Sequence, residues 1–136
     1  NLFTSFGYFE NDHAHKLVFQ NIYKALKNKG FFIIDFLNAY KIIKTQKKQL
    51  EEKTIQNIHF KIKKYHDSSF VYKEINITEK NTRHNFREKV KLINKKKFKS
   101  FFGNLNIELK FTFGDYKLNR YNKKTSDRLI LIFQKN

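Results

Sequence analysis

The sequence predicts an α/β fold carrying an inserted antiparallel meander. Three observations predict it. Between residues 12 and 28, Ala14, Leu17, Val18, Ile22, Ala25 and Leu26 recur at helical spacing. Residues 31–36 form a short apolar run without alternation, the pattern of a strand buried on both faces. From about residue 53 the period changes to two: Ile58, Phe60 and Ile62 alternate with His59, Lys61 and Lys63. The 136 residues suit a single ordinary domain.

The elements follow in order. Residues 1–9 read as the end of a buried strand running into a turn at Gly7. Asp12 is placed to cap the first helix, over 12–28. Lys16, Gln20, Lys24 and Lys27 fall on its wet face, and Gly30 stands where a left-handed helix stop is expected. Strand, helix and strand then make a right-handed crossover unit. Residues 40–49 are weakly helical. Asp67-Ser68-Ser69 and Lys80-Asn81 are turns that bound strands at 70–78 and 85–93. A short helix at 95–102 ends at Gly103. Strands at 107–113 and 128–133 close the chain, joined by a long loop over 114–126.

Charge and composition exclude some functions and leave others open. Lys and Arg number 29 against 12 Asp and Glu, a net charge of +17. Such a surplus adheres to nucleic acid in a salt-sensitive way. Yet the chain is dominated by Lys, Phe, Asn, Ile and Tyr, the residues that A- and T-rich coding favours whatever the function. Only Arg83, Arg87, Arg120 and Arg128 offer the guanidinium fork that suits phosphate and guanine. With no Cys, a disulfide scaffold and a thiolate metal site are excluded. No His pair stands four apart, so no metal site is expected. No apolar run approaches the ~20 residues of a membrane span and no signal peptide opens the chain. The cytoplasm is the expected compartment.

Residues 3–9 (Phe-Thr-Ser-Phe-Gly-Tyr-Phe) and 26–38 (Leu-Lys-Asn-Lys-Gly-Phe-Phe-Ile-Ile-Asp-Phe-Leu-Asn) resemble the second half of class I S-adenosylmethionine-dependent methyltransferases. The tail adds Phe86-Arg87-Glu88-Lys89-Val90, then Phe113-Gly114-Asp115-Tyr116, and a closing Arg128 to Phe133. The resemblance implies the C-terminal part of a Rossmann-like seven-stranded methyltransferase sheet. Residues 1–52 would hold the end of strand four, a helix and strand five. An antiparallel meander is inserted over 53–93, and 94–136 carries a helix and the final strand pair. Strands one to three, the glycine-rich turn and the ribose-binding acid of the family have no counterpart here, so the chain reads as a fragment, inactive by itself.

By the same resemblance the cofactor is S-adenosylmethionine and the acceptor an unidentified small molecule. Methyl transfer from a sulfonium needs alignment more than a fixed triad, and alignment is worth up to ~7–11 kcal/mol. Asn1, Leu2 and Phe3 would border the cofactor. Ser5, Tyr8, Phe9, Asn38, Tyr116 and Arg120 would line the acceptor pocket, with Tyr121 nearby and Asp35 placed to take a proton. Each position also has a plain structural role open to it. Phe3, Phe6 and Phe9 suit a core, Gly7 a turn, Asp35 and Asn38 caps, Tyr116 a half-buried ring, and Glu88 a strand-face ion pair.

Two other functions fit the sequence: a basic nucleic-acid-binding module without catalysis, and a non-functional remnant. A bare edge on strand four further implies self-association.

Overall fold

The computed structural model describes residues 1–45, 47–80 and 82–136. Its elements are α1 (Asp12–Ala25), β1 (Phe31–Leu37), α2 (Ala39–Thr45), β2 (Gln49–Ile55), β3 (Ile58–His66), β4 (Phe70–Glu79), β5 (Thr82–Lys91), α3 (Lys95–Phe102), β6 (Ile107–Phe113) and β7 (Arg128–Lys135). They build two sheets, one in the order β1-β7-β6 and one in the order β2-β3-β4-β5, all pairs antiparallel.

Residues 1–4 extend the first sheet beyond β1. The Asn1 amino group donates to the Ile33 carbonyl at 2.9 Å, and the Asp35 amide donates to the Asn1 carbonyl at 2.9 Å. One residue bonding to two residues spaced by two is the parallel pattern. The opening residues therefore lie beside β1, and α1 makes the crossover between them.

A cluster of phenylalanines joins α1, α3 and one face of the sheet. Phe19 is fully buried, with ring centroids 4.7 Å from Phe102, 5.3 Å from Phe101 and 5.6 Å from Phe32. Phe98 packs on Phe36 at 5.1 Å, and Phe102 on Phe133 at 4.9 Å. Burying each ring stabilises by roughly 1.5–3 kcal/mol, and edge-to-face pairs add about 0.5–1.5 kcal/mol.

The other face differs from expectation. Phe31 and Ile33 are 54% and 42% exposed, so β1 is covered on one face rather than two. Its neighbour β7 is antiparallel, and both packed helices, α1 and α3, lie on the side of Phe32, Ile34 and Phe36.

Helix ends also depart from the spacing. Asn11, not Asp12, caps α1, its side chain accepting from the Ala14 amide at 2.9 Å. Asp12 instead ties the helix start to Lys91 and Lys97, at 2.7 and 2.5 Å. The helix ends at Ala25, short of residue 28. Lys29 takes the left-handed conformation, with φ 62°, in place of Gly30. Gly30 is required for another reason: a Cβ there would stand 2.8 Å from the Lys27 carbonyl oxygen, which its own amide already approaches.

The meander has a fourth strand. The alternation sets its start near residue 53, but β2 opens it at Gln49. Every residue of β2 is exposed, so neither face is selected for apolar side chains and no period-two signal arises. The weak helix expected over 40–49 is α2, which ends at Thr45; Gln46 lies outside the described residues. Of the Lys80-Asn81 turn, Lys80 has φ 50° and Asn81 lies outside the described residues.

Candidate functional site

Asp35 lies next to the carboxyl end of β1, 1% exposed, and gathers the chain around itself. Arg128, from the start of β7, donates through Nε to Oδ1 at 2.8 Å. The Phe3 amide and the Tyr116 hydroxyl both donate to Oδ2, each at 2.9 Å. Arg128 also reaches Thr4, its Nη2 donating to Oγ1 at 2.9 Å. Burial pushes the Asp35 carboxyl up, but the bonds from Arg128, Phe3 and Tyr116 outweigh it and hold it below the usual range. A carboxylate held this way is a weak proton acceptor. Burial, then the bond to Asp35, pushes the Tyr116 phenol up, so it stays a donor.

The Asp35–Arg128 pair fixes a strained lip. Phe3 and Thr4 have φ of 58° and 59°, and the Ser5 amide closes the turn on the Leu2 carbonyl at 3.3 Å. Glycine or asparagine normally occupies such positions; a bulky aromatic and a β-branched residue there cost about 1–3 kcal/mol each. The turn expected at Gly7 thus begins four residues earlier. Gly7 also has positive φ, 95°, and its carbonyl accepts from the Lys91 amide at 2.7 Å. A Cβ on it would meet Val90 at 2.9 Å and Phe36 at 3.2 Å.

Between this lip and the meander lies a cleft of about 450 Å³. The core contributes Phe3, Thr4, Tyr8, Leu37 and Arg128; the meander contributes Lys64, Val71, Tyr72, Lys73, Glu88 and Val90. Glu88 pairs across the strands with Lys73 at 3.8 Å.

The residues singled out in the sequence are distributed unevenly around this cleft. Leu2, Phe3 and Tyr8 are exposed at the lip, 51%, 76% and 55%. Phe3 and Tyr116 face each other edge-on at 6.4 Å. Ser5 bonds back to Leu2, and Phe9 packs against His15 at 5.3 Å, while Phe6 is core. Asn38 is 1% exposed and clamps the loop before β7: it donates to the Lys123 and Ser126 carbonyls at 3.0 and 2.8 Å and accepts from Tyr121 at 3.1 Å. Its amide is spent on the fold and does not line the cleft. Arg120 is exposed, bridged by its backbone to Phe113, and stands outside the Asp35 cluster.

Sequence reasoning missed Arg128 and Thr4. Arg128 carried a usable signal: in a chain where composition favours Lys, a retained Arg marks a place that needs a fork. Thr4 carried none.

Leu2 and Phe3 present apolar surface suited to one flank of an adenosyl thioether. Asp35, the carboxylate at the lip, is fully engaged and not free for ribose hydroxyls. The residues described fit one side of such a cofactor.

No family model and no curated protein matches this sequence. Solved structures do. An S-adenosylmethionine-dependent methyltransferase from Clostridium acetobutylicum superposes with a TM-score of 0.80 over 97% of this chain and 55% of its own, at 13% identity. The CcbJ methyltransferase of Streptomyces caelestis gives 0.77 over 98% of this chain and 58% of its own, at 10% identity. An amino pentose methyltransferase from Micromonospora echinaspora, solved with S-adenosylmethionine bound, gives 0.66 over 99% and 56%, at 8% identity. The fold is that of the C-terminal part of class I S-adenosylmethionine-dependent methyltransferases, and the chain spans a little over half the length of the structures it matches.

Proposed function

We propose that this chain is the acceptor-side half of a methyltransferase that uses S-adenosylmethionine and methylates a small molecule. The observation that carries the proposal is the strained lip at residues 1–4, bound to β1 by its backbone and to Asp35 by the Phe3 amide, with a cleft open beside it. Strain held in place by a buried ion pair is characteristic of sites that must present backbone in one geometry.

The cofactor, when bound, supplies an electrophilic methyl group and takes back the sulfur electron pair. The chain's own residues do the rest. Asn1, Leu2 and Phe3 flank it. Tyr8, Tyr72 and Lys64 bound the acceptor, and the meander excludes water from above. Asp35 is a positioning residue: it fixes Phe3, Arg128 and Tyr116, and the proton that the acceptor loses on methylation passes to solvent at the open mouth of the cleft. The acceptor is a small molecule in this proposal, in keeping with the amino pentose methyltransferase from Micromonospora echinaspora, and the cytoplasm is its compartment.

A half-site binds weakly. Calorimetric titration of S-adenosylhomocysteine into the 136-residue chain is expected to give a Kd weaker than about 100 μM. A Kd of a few micromolar, on the order of −8 kcal/mol, would contradict the half-site.

A further inference from the structure

Lysines are spread along the sequence, but the fold gathers four of them on one groove. It lies between α2, the start of α3 and the segment at 121–123, and holds about 500 Å³. Lys95, Lys96, Lys99 and Lys123 supply ammonium groups, and Tyr40 and Tyr121 supply rings. Among the described residues no carboxylate lines the groove, and none lines both it and the cleft at the lip.

These four charges are not neutralised. Among the described residues none of the four pairs with an acid, whereas Lys97, on the same turn of α3, and Lys91 both pair with Asp12. Lys95 and Lys99 stand four apart on one helix, where like charges repel. Lys123 lies 5.4 Å from the Tyr40 ring centroid. The wall that carries it is fixed: Asn38 donates to the Lys123 and Ser126 carbonyls, and Tyr121 donates to Asn38. A rigid concave site with uncompensated positive charge and aromatic surface is built for an anion with an organic body.

We propose that this groove binds a phosphate-bearing small molecule, its phosphate chain among the four ammonium groups and its organic part against Tyr40 and Tyr121. Lysine serves phosphate as a point charge, without the planar match that arginine offers, so a flexible or multiply charged phosphate suits four of them. The proposal is independent of what binds at the lip.

The test is a titration of the 136-residue chain with inorganic pyrophosphate, and separately with phenyl phosphate, at about 150 mM salt. Calorimetry and the aromatic proton resonances of Tyr40 and Tyr121 are the readouts. Saturable one-site binding is expected for pyrophosphate, with both tyrosines shifting, and phenyl phosphate is expected to shift their ring protons more. The triple variant Lys96→Gln, Lys99→Gln, Lys123→Gln is expected to weaken pyrophosphate about tenfold or more. A control with the same loss of charge elsewhere, Lys16→Gln, Lys24→Gln, Lys27→Gln, is expected to stay within about twofold. Equal weakening in both variants would reduce the effect to adhesion from net charge and overturn the proposal. Wild-type titrations that do not saturate, or that leave Tyr40 and Tyr121 unmoved, would overturn it even if a variant failed to fold.

Discussion

Asp35 and His15 are the two buried polar residues on which most depends. Asp35→Asn keeps the shape but leaves Arg128 without its counter-charge, and is expected to destabilise by about 2–4 kcal/mol in chemical denaturation at pH 7. Arg128→Lys cannot reach Asp35 and Thr4 together, and is expected to lose nearly as much. A loss under about 0.5 kcal/mol for either would show that the lip is not held by this pair. His15 is fully buried among Phe6, Phe9 and Phe101, and its Nε2 has no partner among the described residues. Burial pushes its imidazole below the ordinary value of 6.5. The unfolded chain therefore binds this proton more readily, so the contribution to stability is complete above pH 6.5 and is lost as pH falls. Asp12, held at about 2 by Lys91 and Lys97, and Asp35 lose their contributions only below their unfolded values of 3.8. Between pH 7.5 and 5, wild type is thus expected to lose melting temperature and His15→Phe to lose less; parallel curves would contradict this. The sequence marked Asp35 and Asn38 as chemistry-bearing. It placed Tyr116 and Tyr121 near the same pocket but could not pair them with Asp35 and Asn38, nor Arg128 with Asp35, because each partner lies more than 80 residues away.

Among the elements, the turn at Phe3 and Thr4 is the least expected. No propensity rule places an aromatic and a threonine at positive φ, so the sequence pointed to Gly7, where the need is visible. Phe3→Gly is expected to raise stability by about 0.5–1 kcal/mol by relieving the backbone, while weakening whatever the lip contacts. Gly7→Ala is expected to cost about 1–3 kcal/mol, from positive φ and the clash with Val90 and Phe36. If Gly7→Ala proves neutral, the close approach of the lip to the meander is not as described. Elements with a buried face were legible: α1 and β3 carry an apolar period, and β1 and β7 an unbroken apolar run. The strand with no buried face, β2, was not. Gly30 was singled out correctly but for the wrong reason, since close backbone approach and left-handed φ both select glycine and only geometry separates them.

At the scale of the whole molecule, α1 and α3 lie on one face of the first sheet, and the other shows Phe31, Ile33 and Phe111 to solvent, each more than 40% exposed. Exposed apolar sheet beside a four-residue edge segment favours association with another chain. The isolated chain is expected to self-associate in sedimentation, despite a charge of +17; a monodisperse monomer with a cooperative melt would count against it. Among the described residues no helix is long and apolar enough to cross a membrane. The fold class could be anticipated because a helix, a glycine and an unbroken apolar strand occur in sequence; the register could not. The cleft could not, because its two walls come from sheets whose relative placement no local pattern encodes.

The central claim is that residues 1–4 form one wall of a cofactor site. Backbone amide resonances mapped during titration with S-adenosylhomocysteine to millimolar concentration test it most directly. The expected result is fast-exchange shifts concentrated on Leu2, Phe3, Thr4 and Asp35, saturating above about 100 μM. Shifts absent from those amides, or centred instead on the lysine groove beside α3, would contradict it.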